Sequence, residues 1–301
     1  RSRIAARLQE IGAHGQRVVL LFAPGLSYIC AFFGCLYAGA VAVPAYPPTQ
    51  ERHLPRLRAL IDDAQPVALL TTADVLALME VTPAAAALRS IPWVAVDLLP
   101  AQLESQWRAP ELRGDALAML QYTSGSTNDP RGVMITHRNL LHNLHVIRRW
   151  LSHAPHTIGM TWLPPYHDMG LIGTLLQPLY AGFPVVIMPP FAFLQRPLRW
   201  LSAISRHRAT ITGAPNFAYD LCVRRSTEEQ RQALDLSCLE VAFCGAEPVR
   251  AGALRRRLRT SRFPSRSLLP VLRPGRSDAE CLGTSAHHRG RRPARQGAAA
   301  V

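Results

Sequence analysis

The sequence predicts an α/β fold of layered, mainly parallel sheets flanked by helices. Three observations predict it. Short apolar runs alternate along the chain with longer segments of helical pattern, as repeated βα units require. Residues 18–50 contain no charged side chain, as expected of strands covered by helices on both faces. The segments richest in glycine and hydroxyls follow directly on apolar runs, at the carboxyl ends of strands, where such sheets bind ligands.

The elements follow in order. Residues 18–22 read as a strand, 26–38 as a helix and 40–43 as a strand, together a buried βαβ unit. A membrane span over this uncharged run is rejected. Pro24, Gly25, Pro44, Pro47 and Pro48 interrupt it, and a span needs about 20 continuous helical residues. The uninterrupted piece would be only about 20 Å long at about 1.5 Å per residue. Residues 67–71 and 93–96 read as strands and 140–150 as a helix. Residues 159–163 are strand-like and 169–181 helical, with Gly170 and Gly173 near the helix start. Residues 185–188 form a short strand stopped by Pro189-Pro190, and 197–207 a helix opened by proline, a favoured first position. A strand over 210–212, a helix over 217–225 and a strand over 239–243 complete the alternation.

Composition bounds the chemistry. All 34 basic residues are arginine, so a mechanism that needs lysine cannot run on this chain alone. The six cysteines show neither a Cys-x-x-Cys pair nor zinc spacing. Buried free thiols in a reducing compartment are expected, with Cys30 and Cys35 as packing residues. The beginning, Arg-Ser-Arg, has no secretion signal, so a cytoplasmic location is expected.

One stretch carries more chemistry than any other: Tyr122-Thr-Ser-Gly-Ser-Thr-Asn-Asp-Pro-Arg-Gly-Val-Met-Ile-Thr-His-Arg-Asn-Leu140. The apolar run over 116–121 reads as a strand and the pattern from His137 as a helix. A glycine-containing loop leaving a strand presents several backbone N–H groups to one anion. Thr123, Ser124, Ser126 and Thr127 add donors and Arg131 a fixed charge, an arrangement suited to a polyphosphate. It does not match the Gly-x-x-x-x-Gly-Lys-Ser/Thr loop.

This stretch resembles the phosphate-binding motif of the adenylate-forming superfamily. Three others narrow the resemblance to fatty acyl-AMP ligases, which are acid–AMP ligases. Trp162-Leu-Pro-Pro-Tyr-His-Asp-Met-Gly-Leu-Ile-Gly173 resembles their acyl-site motif, and Glu240-Val-Ala-Phe-Cys-Gly-Ala-Glu-Pro-Val-Arg250 their adenine segment. Ala31-Phe-Phe-Gly-Cys-Leu-Tyr-Ala-Gly-Ala-Val-Ala-Val-Pro-Ala-Tyr-Pro-Pro48 is similar to their N-terminal region. The resemblance runs from Arg1 to about residue 255. It implies part of the large N-terminal AMP-binding domain over residues 1–258, without the small C-terminal domain.

The resemblance implies ATP-dependent activation of a fatty acid to acyl-adenylate with pyrophosphate release, for lipid or polyketide synthesis, with ATP and Mg2+ as cofactors. The expected partners are a fatty acid and, as a candidate acceptor, an acyl carrier protein. Thr123, Ser124, Gly125, Ser126, Thr127, Arg131 and Gly132 would hold the phosphates. Gly245, Ala246, Glu247 and Pro248 would line the adenine. His167 would sit at the acyl mouth as a catalytic residue beside Arg131, with Gly170 and Gly173 leaving room for the acyl chain. Asp168 reads as a helix cap. Arg131 stands where the family often has lysine, and a guanidinium grips phosphate oxygens in a bidentate manner. Cys244 departs from the usual asparagine and Asn128 from a common glycine. No metal ligand is assigned on this chain. The alternative is a non-catalytic remnant that binds nucleotide or acyl chain.

From residue 259 the character changes. Leu, Ile, Val and Phe number seven of the last 43 residues, and residues 252–301 supply +10 of the net charge of +14. Such composition predicts disorder over 259–301. The family's Tyr-Gly-Leu-Ala-Glu motif, whose glutamate helps hold magnesium, is absent, yet a frame change recovers it. Val271-Leu-Arg-Pro-Gly-Arg-Ser-Asp-Ala-Glu280 can be encoded so that dropping one base reads Cys-Tyr-Gly-Leu-Ala-Glu-Ala-Thr-Leu. The alternative, a basic tail for nucleic acid or an acidic membrane, lacks lysine and interleaved aromatic residues. No nucleic-acid partner is therefore expected.

Overall fold

The computed structural model describes residues 1–47, 53–82, 85, 88–123, 131–245 and 268–270. The first layer begins with α1 (Ser2–Glu10), β1 (Arg17–Leu21), α2 (Leu26–Ala38), β2 (Val41–Ala45), α3 (Leu54–Ala64), β3 (Ala68–Thr71) and α4 (Ala73–Val81). It continues through β4 (Trp93–Ala95), a 3-10 turn (Ala101–Gln106), β5 (Leu117–Thr123), β6 (Arg131–Thr136) and α5 (His137–Trp150). Its strands form one sheet in the order β4-β3-β1-β2-β5-β6. All neighbours are parallel except the last pair, β5 and β6.

The second layer runs β7 (Gly159–Thr161), α6 (Asp168–Leu171), a π-helical turn (Ile172–Leu176), α7 (Gln177–Ala181) and β8 (Val185–Ile187). There follow α8 (Pro190–Gln195), α9 (Leu198–His207), β9 (Ile211–Ala214), α10 (Asn216–Arg224), α11 (Glu228–Gln232), β10 (Val241–Cys244) and β11 (Leu268–Pro270). This sheet is parallel throughout, in the order β11-β10-β9-β7-β8. Two mainly parallel sheets flanked by helices are the α/β fold class expected from the sequence.

Local chemistry explains the elements. Helix α2 starts after Pro24-Gly25 and ends at Gly39, whose φ of 72° a side chain would resist. It buries Tyr28, Ala31, Phe32 and Cys35 against β1 and β2, whose strands are almost wholly buried. Burying one such large side chain stabilises the fold by roughly 1.5–3 kcal/mol. Thr136 and Asn139 cap α5 reciprocally, each side chain accepting the other's backbone N–H. In the second layer Trp200, Tyr219 and Phe193 build the core, and the Trp200 indole N–H donates to Thr212 at 3.0 Å.

Three findings differ from the sequence reading. The polar loop returns as a strand, β6, before α5 begins. Cys30 lies on the exposed face of α2, so the expectation of a packed thiol fails there while Cys35 is buried. Residues 268–270 form a strand in register with residues 242–244, where disorder was expected. The remainder of the tail, with the frame-change segment, lies outside the described residues. Among the described residues no helix is long and apolar enough to cross a membrane.

Candidate active site

The carboxyl ends of β2, β5, β7 and β10 carry the segments singled out above. Residue Thr123 closes β5 and pairs with Arg131, the first residue of β6, so the phosphate-loop candidate joins two antiparallel strands. Residues 124–130, including Ser124, Gly125, Ser126 and Thr127, lie outside the described residues, as does the side chain of Thr123. Arg131 is exposed at the hairpin mouth. Gly132 has a packing reason to be glycine. A Cβ there would lie 3.0 Å from the ring of Tyr122 across the hairpin.

Tyr122 anchors the base of this hairpin. Its hydroxyl donates to Asp63 of α3 at 2.5 Å. Burial, first, and that hydrogen bond, second, push the phenol pKa well above its usual range. One residue earlier, the Gln121 side-chain amide donates to the Tyr166 carbonyl at 3.2 Å. Strand β5 is thereby tied to the loop that carries His167. Tyr166 meets Tyr46, just past β2, edge-on at 4.9 Å between ring centroids. These contacts bring three of the four sequence motifs together. Tyr46, Asp63, Gln121 and Tyr122 were not among the candidates. The helix that carries Asp63 could have been found, because its buried Leu54, Leu57, Leu60, Ile61 and Ala64 recur at helical spacing.

His167 is the N-cap of α6, and Asp168 is the first helical residue rather than the cap itself. The His167 Nδ1 lies 2.7 Å from Asp168 Oδ1, and the Met169 backbone N–H donates to the same carboxylate at 2.6 Å. A charge-assisted bond outweighs the longer 3.3 Å approach of Met169 N–H to His167 Nδ1. The ring therefore donates Nδ1–H to Asp168, which leaves Nε2 for a substrate. The hydrogen bond to Asp168 raises the His167 pKa above 6.5, although burial opposes it. The same bond lowers the Asp168 pKa below 3.8, also against burial. The signs define a window. The Asp168 contribution is present above 3.8 and is lost as pH falls through its lowered folded value. The His167 contribution is present below 6.5 and is lost as pH rises through its raised folded value. An NMR titration should find His167 titrating above 6.5 in the wild type. In Asp168→Asn only burial remains, and the value should fall below 6.5. An unchanged midpoint would refute the pairing.

The two glycines of α6 and the π turn differ. A Cβ on Gly170 would lie 2.1 Å from the Pro164 carbonyl oxygen. Gly170 therefore serves close backbone packing and leaves no room there for an acyl chain. Among the described residues, a Cβ on Gly173 would meet the Phe243 ring at 3.9 Å, an ordinary van der Waals contact. A relay fixes the turn. Leu163 N–H donates to Thr161 Oγ1 at 3.1 Å, that hydroxyl donates to Thr174 Oγ1 at 3.0 Å, and Thr174 donates to the Gly170 carbonyl at 2.7 Å. Bonding back to the carbonyl four residues earlier distorts helices, and π turns are frequent at functional sites. Gly170→Ala should lower the melting temperature, a loss of about 1–3 kcal/mol from overpacking that exceeds the helix-propensity gain of alanine. A raised melting temperature would refute the contact.

Gly245 is buried immediately beyond the end of β10. Ala246, Glu247 and Pro248 lie outside the described residues. Among the described residues no group of three or more His, Cys, Asp or Glu could hold a metal ion.

The layered fold with motif-bearing loops at its strand ends defines the class. The chain belongs to the AMP-binding enzyme family, whose model matches residues 1–265. Adenylate-forming enzymes of this family use ATP. The chain is 46% identical over 252 residues to the medium-chain-fatty-acid–[acyl-carrier-protein] ligase JamA of Moorena producens, covering 82% of this chain and 43% of that protein. It is 40% identical over 263 residues to the long-chain-fatty-acid–AMP ligase FadD32 of Mycolicibacterium smegmatis, covering 84% of this chain and 41% of the relative. The crystal structure of a Legionella pneumophila fatty acyl-adenylate ligase, in complex with acyl adenylate and pyrophosphate, superposes with a TM-score of 0.84 at 44% identity. That match covers 90% of this chain and 48% of the other. The chain thus spans less than half the length of these relatives.

Proposed function

We propose that this chain carries the ATP- and acyl-binding part of a fatty acyl-AMP ligase. The reaction joins a fatty acid carboxylate to the α-phosphate of ATP and releases pyrophosphate. A carboxylate must approach a strongly anionic triphosphate, so catalysis rests on positioning and charge neutralisation. In this reading the hairpin turn between Thr123 and Arg131 cradles the terminal phosphates through its backbone N–H groups and hydroxyls. The Arg131 guanidinium takes phosphate oxygens at the hairpin mouth. Gly245 and the residues that follow it flank the adenine. His167, oriented through Nδ1 by Asp168, presents Nε2 to the reacting carboxylate. The acyl chain runs from there past Gly173 in the π turn. An acyl carrier protein is the acceptor, by likeness to the relatives whose names specify one.

The observation that carries this reading is the tie between the phosphate hairpin and the acyl motif: Gln121, adjacent to Tyr122, bonds the carbonyl of Tyr166, adjacent to His167. The alternative reading is a nucleotide- or acyl-binding remnant without turnover. Titration with a non-hydrolysable ATP analogue and with a fatty acid tests what both readings share. A folded chain that binds neither ligand defeats both readings.

A further inference from the structure

Helix α8, which follows the strand β8 at the end of the second sheet, has two unlike faces. Phe193 points inward, wholly buried and stacked on Trp162 at 3.8 Å between ring centroids. Phe191 and Leu194, three residues apart and so on one face, point outward and are 68% and 55% exposed. Beside them, Arg196, Arg199 and Arg206 line an open cleft of about 330 Å³ with Ser202 and His207. Arg199 joins the apolar and cationic parts, since its guanidinium donates to the Gln195 side chain of α8 at 3.1 Å. Arg199 and Arg206 lie two turns apart on α9, about 10 Å along its axis at about 1.5 Å per residue. Among the described residues no ion pair joins any of these three arginines to a carboxylate.

We propose that α8 and the outer face of α9 dock this protein on an anionic lipid surface, with Phe191 and Leu194 entering the headgroup region and Arg196, Arg199 and Arg206 against lipid phosphates. Exposed apolar side chains beside cations are what binding in the plane of an anionic bilayer requires. A row of guanidinium groups meets several phosphates at once on a flat surface, which a single small anion does not offer. An acidic protein would engage the arginines alone, whereas Phe191 and Leu194 exposed next to them favour lipid. The docking goes beyond the ligase reading. Its use, drawing a fatty acid from the bilayer into which such acids partition, rests on that reading. Trp162 opens the acyl motif, so the inner face of α8 ties that motif to the docking surface.

Sedimentation of the whole chain with vesicles tests the docking, using phosphatidylcholine alone and phosphatidylcholine with phosphatidylglycerol in equal parts. The wild type should bind the anionic vesicles more tightly, and added salt should weaken that binding. Changing Arg196→Gln, Arg199→Gln and Arg206→Gln together should weaken it about a hundredfold, at about fivefold for each arginine near the surface. Changing Phe191→Ser with Leu194→Ser should weaken it at least about tenfold. All five side chains are exposed, so both variants should melt near the wild type. Residues 252–301, which carry +10, are unchanged in both, so binding held by them would survive the substitutions. Wild-type affinity for anionic vesicles in either folded variant overturns the docking. Binding to polyglutamate without binding to vesicles also overturns it, in favour of an acidic protein partner. Titration calorimetry with palmitate reads the ligase site separately. A chain that binds palmitate but no vesicles overturns the docking and leaves the ligase reading standing. A chain that docks but binds neither palmitate nor an ATP analogue overturns the ligase reading and leaves the docking.

Discussion

The 301-residue chain alone should release pyrophosphate from ATP, magnesium and a long-chain fatty acid at less than about a thousandth of the rate of a frame-restored chain extended to the length of its relatives. Two features of the sequence set that expectation. No lysine is present to bridge the carboxylate and the α-phosphate. Arg276-Ser277 stands at the coding position of the metal glutamate, so a cation is written where a magnesium ligand is required. Removing one transition-state donor typically costs a factor of about 10²–10³. Two such losses, even if not additive, push turnover below that threshold. A frame change between about residues 251 and 262 would account for both the missing motif and the arginine-rich composition beyond it. Restoring it should also supply an in-frame continuation after β10. Equal pyrophosphate release by the two chains would defeat both the frame argument and the reading of the tail.

Much of the scaffold was legible because burial left it little choice. Helix α2 falls at the expected residues since thirteen uncharged positions sit between Pro24-Gly25 and a left-handed Gly39. The parallel strands were legible for the same reason, being continuous apolar runs between turn residues. Strand β6 was not. Val133 and Met134 are half or more exposed on this edge strand, and its six residues sit between a polar loop and a strong helix start. Pattern arguments need one buried face, and an edge strand of this kind offers little of one.

The candidate site divides in the same way. The strand and helix alternation placed the Tyr122, Trp162–Leu163 and Phe243 segments at strand ends, where β5, β7 and β10 end. Gly170, expected to make room for an acyl chain, instead accommodates a carbonyl, because a missing Cβ has the same sequence signature whether backbone or ligand occupies its space. The contacts that join the motifs, Tyr122 to Asp63 and Gln121 to Tyr166, cross 59 and 45 residues of chain. No local periodicity encodes such pairs. Cys30 makes the related point for packing. It lies in an apolar helix, but the helix turns that position outward.

Replacing Arg131 with alanine should weaken binding of a non-hydrolysable ATP analogue by a factor of about 10–150, the loss of a charge-assisted hydrogen bond of roughly 1.5–3 kcal/mol. Arg131 begins β6 directly opposite Thr123, so its backbone is held by the antiparallel pairing rather than by the loop. The side chain is exposed, and its removal leaves no cavity, so the melting temperature of the free protein should stay near that of the wild type. That separates loss of a ligand contact from loss of fold. Lysine at this position should recover part of the affinity, since the charge returns without the bidentate geometry. Asp63→Asn gives a contrasting outcome. It weakens the anchor beneath the hairpin without touching the cation, so it should lower thermal stability more than Arg131→Ala does. Unchanged nucleotide affinity in Arg131→Ala, measured by calorimetry in a folded protein, would remove the hairpin from the phosphate site and with it the assignment of residues 123–132.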